Sequence, residues 1–394
     1  MFNIFPIKNG ICSVDGFFAN GYSAGIKKDG LDVGFIYSDT LCDVEALFTT
    51  NTFQAAPIKH YQKYENNFKT NFILANSKNA NAMTGESGIA DIDELLDSLK
   101  ERFSDIQNPI MSSTGVIGYR LNREKISKTF SEFDLSSKES NSFAKSIMTT
   151  DSYEKEVAFE VTLENGEKFN IAGVAKGAGM INPAMATMLC FIVTDADIPK
   201  EDMRELLSDV NEESFNAISV DGDTSTNDSL FLLANKKASY DKLAFKEALR
   251  LTMQKLAFDI VKDGEGAGKF VAFNVVGAKD NLEAKTIAKA LSNSLLVKTA
   301  IFGEDPNWGR IASTIGANSK NCDEEKLTIK YNNLLIYSKD KRFLDEQTEQ
   351  KASEIMKRDE YSITCDLNMG EGSFTAYACD LTYEYVKINA DYRT

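Results

Sequence analysis

Apolar and polar residues alternate from Val157 through Phe159, Val161 and Leu163, the period-two pattern of a strand with one buried face. Asn165-Gly166 then supplies a two-residue hairpin turn, and Phe169, Ile171 and Gly173 continue a returning strand. That strand runs into a loop of small residues from Lys176 to Thr187, after which Met188 to Val193 reads as a buried strand ending near Asp195. Pro199-Lys200-Glu201-Asp202 opens a helix with proline and acids in its first turn. Phe245, Ala248, Leu249, Met253, Leu256, Ala257 and Ile260 recur at three- and four-residue spacing, which predicts an amphipathic helix over 245–262 that stops near Gly264. Further helices are expected over about 282–297 and 343–358, with strands at 361–367 and 373–381 joined through Gly370-Glu371-Gly372. Helices and strands mix without a strict βαβ rhythm. The pattern predicts a mixed α/β (α+β) protein built as a layered sandwich rather than a barrel.

At 394 residues, 43% apolar and 26% charged, the chain can bury a large core and form two or more domains. An approximate split is 1–275 for the main sandwich and 276–394 for a smaller C-terminal α/β region. No apolar stretch reaches the length of a membrane span, and the opening Met1-Phe2-Asn3-Ile4-Phe5-Pro6-Ile7-Lys8 lacks the apolar core of a signal peptide. A cytoplasmic location is the expectation. The net charge of -15 argues against a nucleic-acid partner, since phosphate binding needs a basic face. A small-molecule substrate fits better, and one bearing carboxylates requires a local exception to the acidic average, for which Lys176 is the obvious residue. Cys12, Cys42, Cys190, Cys322, Cys365 and Cys379 form no Cys-x-x-Cys pair and read as reduced core residues. With His60 the one histidine, neither a structural metal nor a histidine-based triad is expected.

Chemistry concentrates in Gly173-Val-Ala-Lys-Gly-Ala-Gly-Met-Ile-Asn-Pro-Ala-Met-Ala-Thr187. Small residues at Ala184 and Ala186 leave the carbonyl before Thr187 open, and the strand after it would hold the hydroxyl rigidly. Such a threonine could attack that carbonyl. An N-to-O acyl shift and hydrolysis would cut between Ala186 and Thr187, leaving an α-amine as base to the hydroxyl of the same residue. A threonine before a strand also simply suits β geometry, so both readings stand on residue type alone. Acyl transfer needs donors for an oxyanion, and Thr114 and Gly115 in Ser113-Thr114-Gly115-Val116-Ile117-Gly118 are candidates, although the same glycines also suit a turn between strands. Asp263-Gly264-Glu265-Gly266-Ala267-Gly268-Lys269 imitates a phosphate loop, yet it follows a predicted helix and lacks the closing Gly-Lys-Ser/Thr. Asp221, Asp223 and Asp228 resemble part of a calcium loop without its terminal glutamate, and a polar turn is the plainer reading.

Ala186-Thr187-Met188-Leu189, taken in order with Ser113 to Gly118, Met148-Thr149-Thr150-Asp151, Asp263 to Ala267, Asp305-Pro306-Asn307-Trp308-Gly309-Arg310 and Asn389-Ala390-Asp391-Tyr392-Arg393-Thr394, resembles the ornithine acetyltransferase (glutamate N-acetyltransferase) family of arginine biosynthesis. The resemblance spans essentially the whole chain, from Gly16-Phe17 and Gly25-Ile26-Lys27 onward. It implies the DmpA/ArgJ-like fold, with two central sheets flanked by helices. It further implies self-cleavage into fragments 1–186 and 187–394, two copies of each assembling together. Thr187 is then the nucleophile, Thr114 and Gly115 the oxyanion hole, and Thr150, Lys176, Thr187, Glu265, Asn389 and Thr394 the substrate contacts. The implied reaction moves acetyl from N2-acetylornithine to glutamate without a cofactor, and acetyl-CoA as a second donor stays open. Met83 and Gly268 stand where cysteine and threonine are common in relatives, which bears on packing more than on chemistry. The rival readings are an amidase or aminopeptidase of similar architecture, and a ligand-binding protein without turnover.

Overall fold

The computed structural model describes residues 2–182 and 188–391. Ala184, Ala186, Thr187 and Thr394, all singled out above, lie outside the described residues. In chain order the first part comprises β1 (Asn3–Pro6), β2 (Phe17–Tyr22), β3 (Val33–Phe48), α1 (Ala56–Tyr61), β4 (Lys69–Asn76), α2 (Gly85–Arg102), β5 (Ile110–Ser113), α3 (Arg123–Thr129) and α4 (Ser140–Ile147). It continues through β6 (Lys155–Thr162), β7 (Lys168–Lys176), β8 (Leu189–Ala196), α5 (Lys200–Glu212), β9 (Ile218–Ser219), β10 (Ser229–Ala238) and α6 (Lys242–Lys262). The remainder is β11 (Phe270–Ala278), α7 (Asn281–Asn293), α8 (Leu295–Phe302), α9 (Trp308–Asn318), β12 (Thr328–Tyr331), β13 (Leu334–Tyr337), α10 (Glu346–Met356), β14 (Glu360–Asp366), β15 (Gly372–Cys379) and α11 (Tyr383–Asp391). No helix among the described residues is long and apolar enough to cross a membrane.

The chain divides into two compact units, one from Met1–Asn216 and Asp223–Ile260, the other from Ala217–Gly222 and Val261–Tyr392. The first is built on a mixed sheet ordered β1-β6-β7-β8-β10-β3-β4-β5, with β2 also paired to β3. Alternation sends successive residues to opposite faces. Phe72 and Leu74 of β4 pack with Ile89, Ile92, Leu95 and Leu99 of α2, while Ile73 and Ala75 join Phe143 and Ile147 of α4 and Phe191 of β8. Gly173 of β7 lets α6 approach closely, because a methyl group there would meet Leu256 Cδ1 at 2.8 Å and Thr252 Cγ2 at 3.1 Å. The second unit carries a sheet ordered β13-β12-β14-β11-β15-β9. Val271, Phe273 and Val275 of β11 bury against Ala284, Ile287 and Leu291 of α7 and Ile311 and Ile315 of α9. The mixed α/β class is what the hydropathy pattern anticipates, and two sheets flanked by helices are what the family resemblance implies.

Two local expectations change. The β6–β7 hairpin turns through three residues, Glu164 to Gly166, rather than two: Leu163 N bonds Glu167 O at 2.8 Å, Gly166 N returns to Leu163 O, and Gly166 takes φ +84°. That is a type I turn closed by a left-handed glycine. The helix expected over 282–297 is two helices. Ser294 leaves the helical conformation and its hydroxyl accepts from Val297 N, so it starts α8 where α7 ends. β14 and β15, joined in sequence, do not pair; β11 lies between them, parallel to β14 and antiparallel to β15. Pro199 is the N-cap of α5, with Glu201 and Asp202 in the first turn.

Candidate active site

The carboxylate of Asp151 is the centre of the first unit's polar cluster. It sits just before β6 and has no side-chain exposure. Lys155 Nζ reaches Asp151 Oδ1 at 2.9 Å, Lys176 Nζ lies 3.9 Å from Oδ2, and the amides of Gly177 and Thr149 donate at 2.6 and 2.9 Å. Burial pushes its pKa up, but the ammonium groups of Lys176 and Lys155 and the Thr149 amide outweigh it and hold the carboxyl well below the usual range. Lys176 ends β7. Its ammonium donates to Thr149 Oγ1 at 2.8 Å and to Thr114 Oγ1 at 3.5 Å.

Thr114 and Gly115 follow β5. The Thr114 amide bonds Asn76 O and the Val116 amide bonds Lys78 O, while the Gly115 amide between them has no acceptor among the described residues. Gly115 adopts φ +127°, and a Cβ there would lie 2.3 Å from the carbonyl carbon of Lys78. Only glycine fits that approach. The loop is held from behind by Asn227, whose amide nitrogen donates to Ala80 O at 2.6 Å and Ser113 O at 2.8 Å, and by Ser113 Oγ bonded to Asn76 Oδ1 at 2.7 Å. The arrangement brings together an unused backbone donor, a hydroxyl and a nearly buried ammonium, a set suited to an anionic ligand and a developing oxyanion.

In the second unit, Glu265 follows α6 and is buried to 8% exposure. Asn389 of α11 donates to Glu265 Oε2 at 2.6 Å, Thr382 donates to Gly266 O at 2.9 Å, and Tyr385 Oη donates to Asp221 Oδ2 at 3.2 Å. Gly266 takes φ +72°, and a Cβ there would sit 2.7 Å from Glu384 Cβ. α11 therefore rests on the loop that carries Glu265.

Of the sequence candidates, the structure brings Thr114, Gly115 and Lys176 together in one unit and Glu265 with Asn389 in the other. Thr150 is half-buried, and its neighbour Thr149 makes the bond to Lys176. Several residues escaped the sequence reading. Lys27 is pulled down to about 8 by burial, with Asp32 and Asp151 opposing and Lys176 and Lys78 adding to the shift, so its ammonium feels the same cluster. Its loop is fixed by Asp32, fully buried, whose carboxylate accepts from the amides of Ala24, Ile26 and Lys27. The local basic exception is thus several lysines rather than Lys176 alone. The run read as a polar turn is exposed to half-buried only at Asp221 to Thr224; Ser225 to Ser229 are buried. His60 bonds Asp93 at 3.1 Å and takes no part in the cluster.

The ArgJ family model matches residues 18–394. The arginine biosynthesis bifunctional protein ArgJ of Wolinella succinogenes is 56% identical over 396 residues, covering 100% of both chains. The glutamate N-acetyltransferase of Methanocaldococcus jannaschii is 43% identical, covering 98% of this chain and 99% of that one. A crystal structure of the arginine biosynthesis bifunctional protein argJ from Bacillus halodurans aligns at 36% identity over 50% of this chain and 96% of that chain, with a TM-score of 0.47. The chain belongs to the ArgJ family.

Proposed function

We propose that this chain is a glutamate N-acetyltransferase of arginine biosynthesis that matures by cutting itself before Thr187. The observation that carries the activity is family membership over residues 18–394. The geometry supports this reading: among the described residues the Gly115 amide has no acceptor, and Lys176 at the end of β7 donates to Thr114 and Thr149.

In maturation the Thr187 hydroxyl attacks the Ala186 carbonyl carbon, the C–N bond breaks as the acyl group shifts to oxygen, and water hydrolyses the ester. Fragments 1–186 and 187–394 result, with a free amine on Thr187. That amine, with a reference pKa of about 7.7–8.0, takes the hydroxyl proton as Thr187 attacks the acetyl carbonyl of N2-acetylornithine. The oxyanion is met by the Gly115 amide and by the Thr114 hydroxyl, which accepts from Lys176 and so has its own proton to give. One such donor is worth about 2.7–4 kcal/mol. Ornithine leaves with the proton, glutamate attacks the acetyl ester, and N-acetylglutamate departs with Thr187 regenerated. Lys176 pairs with a substrate carboxylate, Thr150 donates to carboxylate or amide, and the family resemblance gives Glu265, Asn389 and Thr394 the remaining substrate contacts. Acetyl-CoA can acetylate the same threonine by the same attack. A cytoplasmic assembly of two copies of each fragment completes the reading.

Intact mass under denaturing conditions tests it, with wild type beside Thr187→Ala. Two fragments in wild type, one chain in the variant, and glutamate-dependent release of ornithine only by wild type are expected. A Thr187→Ala protein with full transfer activity sinks the nucleophile. Free acetate released without glutamate would make the protein an amidase.

A further inference from the structure

The second unit holds a cavity of about 610 Å³ that the reaction above does not use. That volume falls within the range of roughly 300–1,000 Å³ usual for small-molecule sites. α9 makes one wall, where Trp308, Ala312, Ile315 and Gly316 recur at helical spacing and so share a face. Ile315 is buried, while a Cβ built on Gly316 would meet nothing within 4 Å, so the helix faces open space at that point. Tyr337 of β13 makes another wall, its ring stacked on Trp308 with 4.5 Å between centroids and 22° between planes. Phe343 also lines the cavity and is 86% exposed, so this third ring finds little to pack against in the chain itself.

The charges around the opening select what could enter. Asp323 and Glu324 line the cavity from the turn before β12. That turn is fixed: the amides of Lys326 and Leu327 donate to Asp323 O at 3.0 and 3.2 Å, the Glu325 amide donates to Asp323 Oδ1 at 3.0 Å, and Tyr337 Oη donates to Glu324 O at 3.3 Å. Neither the Asp323 nor the Glu324 carboxylate forms an ion pair among the described residues; Glu324 acts on Arg342 only at longer range. Among the described lining residues Arg342 is the one cation, and its guanidinium is already held by Glu325 and by Lys339 O. Lys339 faces the same Glu325 at 3.6 Å. Carboxylates attract a cation, and the face of an aromatic ring, the negative end of its quadrupole, does the same. We propose that this cavity binds a small organic cation, a guanidinium or ammonium group on an apolar stem, with its charge against Asp323 and Glu324 and its stem against Trp308 and Tyr337. The site draws on none of the residues given to acyl transfer, so it stands or falls apart from that reading.

Trp308 is the single tryptophan of the chain, so its emission reports binding beside that ring. Full-length protein is titrated with n-butylguanidinium at constant ionic strength, with calorimetry for affinity and Trp308 emission for location. Saturable binding with a matching emission change is expected, at least about tenfold tighter than for n-butylurea, the neutral isostere, and with no response to pentanoate. The double variant Asp323→Asn/Glu324→Gln should weaken binding several-fold. Both side chains are exposed, and asparagine keeps the acceptor that the Glu325 amide uses, so the fold is not at stake. Gly316→Leu should fill the cavity and abolish the response while leaving acetyl transfer unchanged. Heat of binding without an emission change puts the cation elsewhere and overturns the proposal, as does the absence of both signals. Equal affinity for n-butylurea, or binding of pentanoate, would make the cavity merely apolar or anion-selective and overturns it too. Wild-type affinity in the double variant or in Gly316→Leu has the same consequence.

Discussion

Asp151 stays ionised with no side-chain exposure because two ammonium groups and two backbone amides converge on it. Asp228, also buried, is pushed the other way, because burial outweighs the Met188 amide, Ser225, Lys176 and Thr49 beside it. The contrast is one of partners, not of burial. Lys27 lies between these cases. Its pKa of about 8 is set chiefly by burial, and it donates to Leu31 O rather than to a carboxylate. Because the folded value lies below that of a free lysine, its charge is present below pH 8 and is lost as pH rises through about 8. If it helps bind substrate carboxylate, KM for glutamate should climb several-fold above pH 8. Lys27→Arg should move that rise upward, since guanidinium keeps its charge there. Steady-state kinetics from pH 6.5 to 9.5 check this, and a flat wild-type KM would remove Lys27 from substrate binding.

At the element scale, period and punctuation located β6, β7, β8, β14, β15, α5, α6 and α10, and where the pattern and the structure differ the cause is local. Ser294 divides a helical pattern because its hydroxyl caps α8 through Val297 N. Replacing it by alanine should cost about 1 kcal/mol, and by glycine a few tenths, since glycine still permits the cap conformation. Urea unfolding of the two variants measures the difference; equal losses would mean that the hydroxyl is not what holds the α7–α8 junction. The three-residue hairpin was hidden because Asn165-Gly166 suits either turn length, and the choice depends on whether Leu163 pairs with Glu167. Short β5 and the broken register of long β3 carry no clear period, so the Thr114–Gly115 loop could be singled out in the sequence while the strand that places it could not.

For the whole molecule, β7 and β8 are antiparallel neighbours in the middle of the first sheet, and the proposed cut falls in the loop between them. One fragment supplies β1 to β7 and the other β8 and β10, so the sheet order interleaves the two. Separating the fragments would break the β7–β8 and β10–β3 pairings together with the buried side chains on both faces. Mature protein should therefore elute as one species containing both fragments in native size-exclusion chromatography, and should release them only at denaturant concentrations that unfold it. Release of fragment 187–394 under native conditions would show that the chain is not interleaved in this way.

Residue types and their spacing by themselves determined the mixed α/β class, the strands flanking the Lys176–Thr187 loop, the long helix before Glu265, and a set of side chains able to carry acyl transfer. These features are local: a period, a turn residue or a nucleophile with small neighbours is written within a dozen residues. Tertiary structure alone decided that Asp151 is a hub, that Lys27 joins Lys176, that Asn227 braces the Gly115 loop and that Asp228 lies beside Met188. Each of those facts brings together segments from distant parts of the chain. Burial, charge pairing and unsatisfied hydrogen bonds are properties of the neighbours a side chain meets in space, and sequence spacing does not encode which those are.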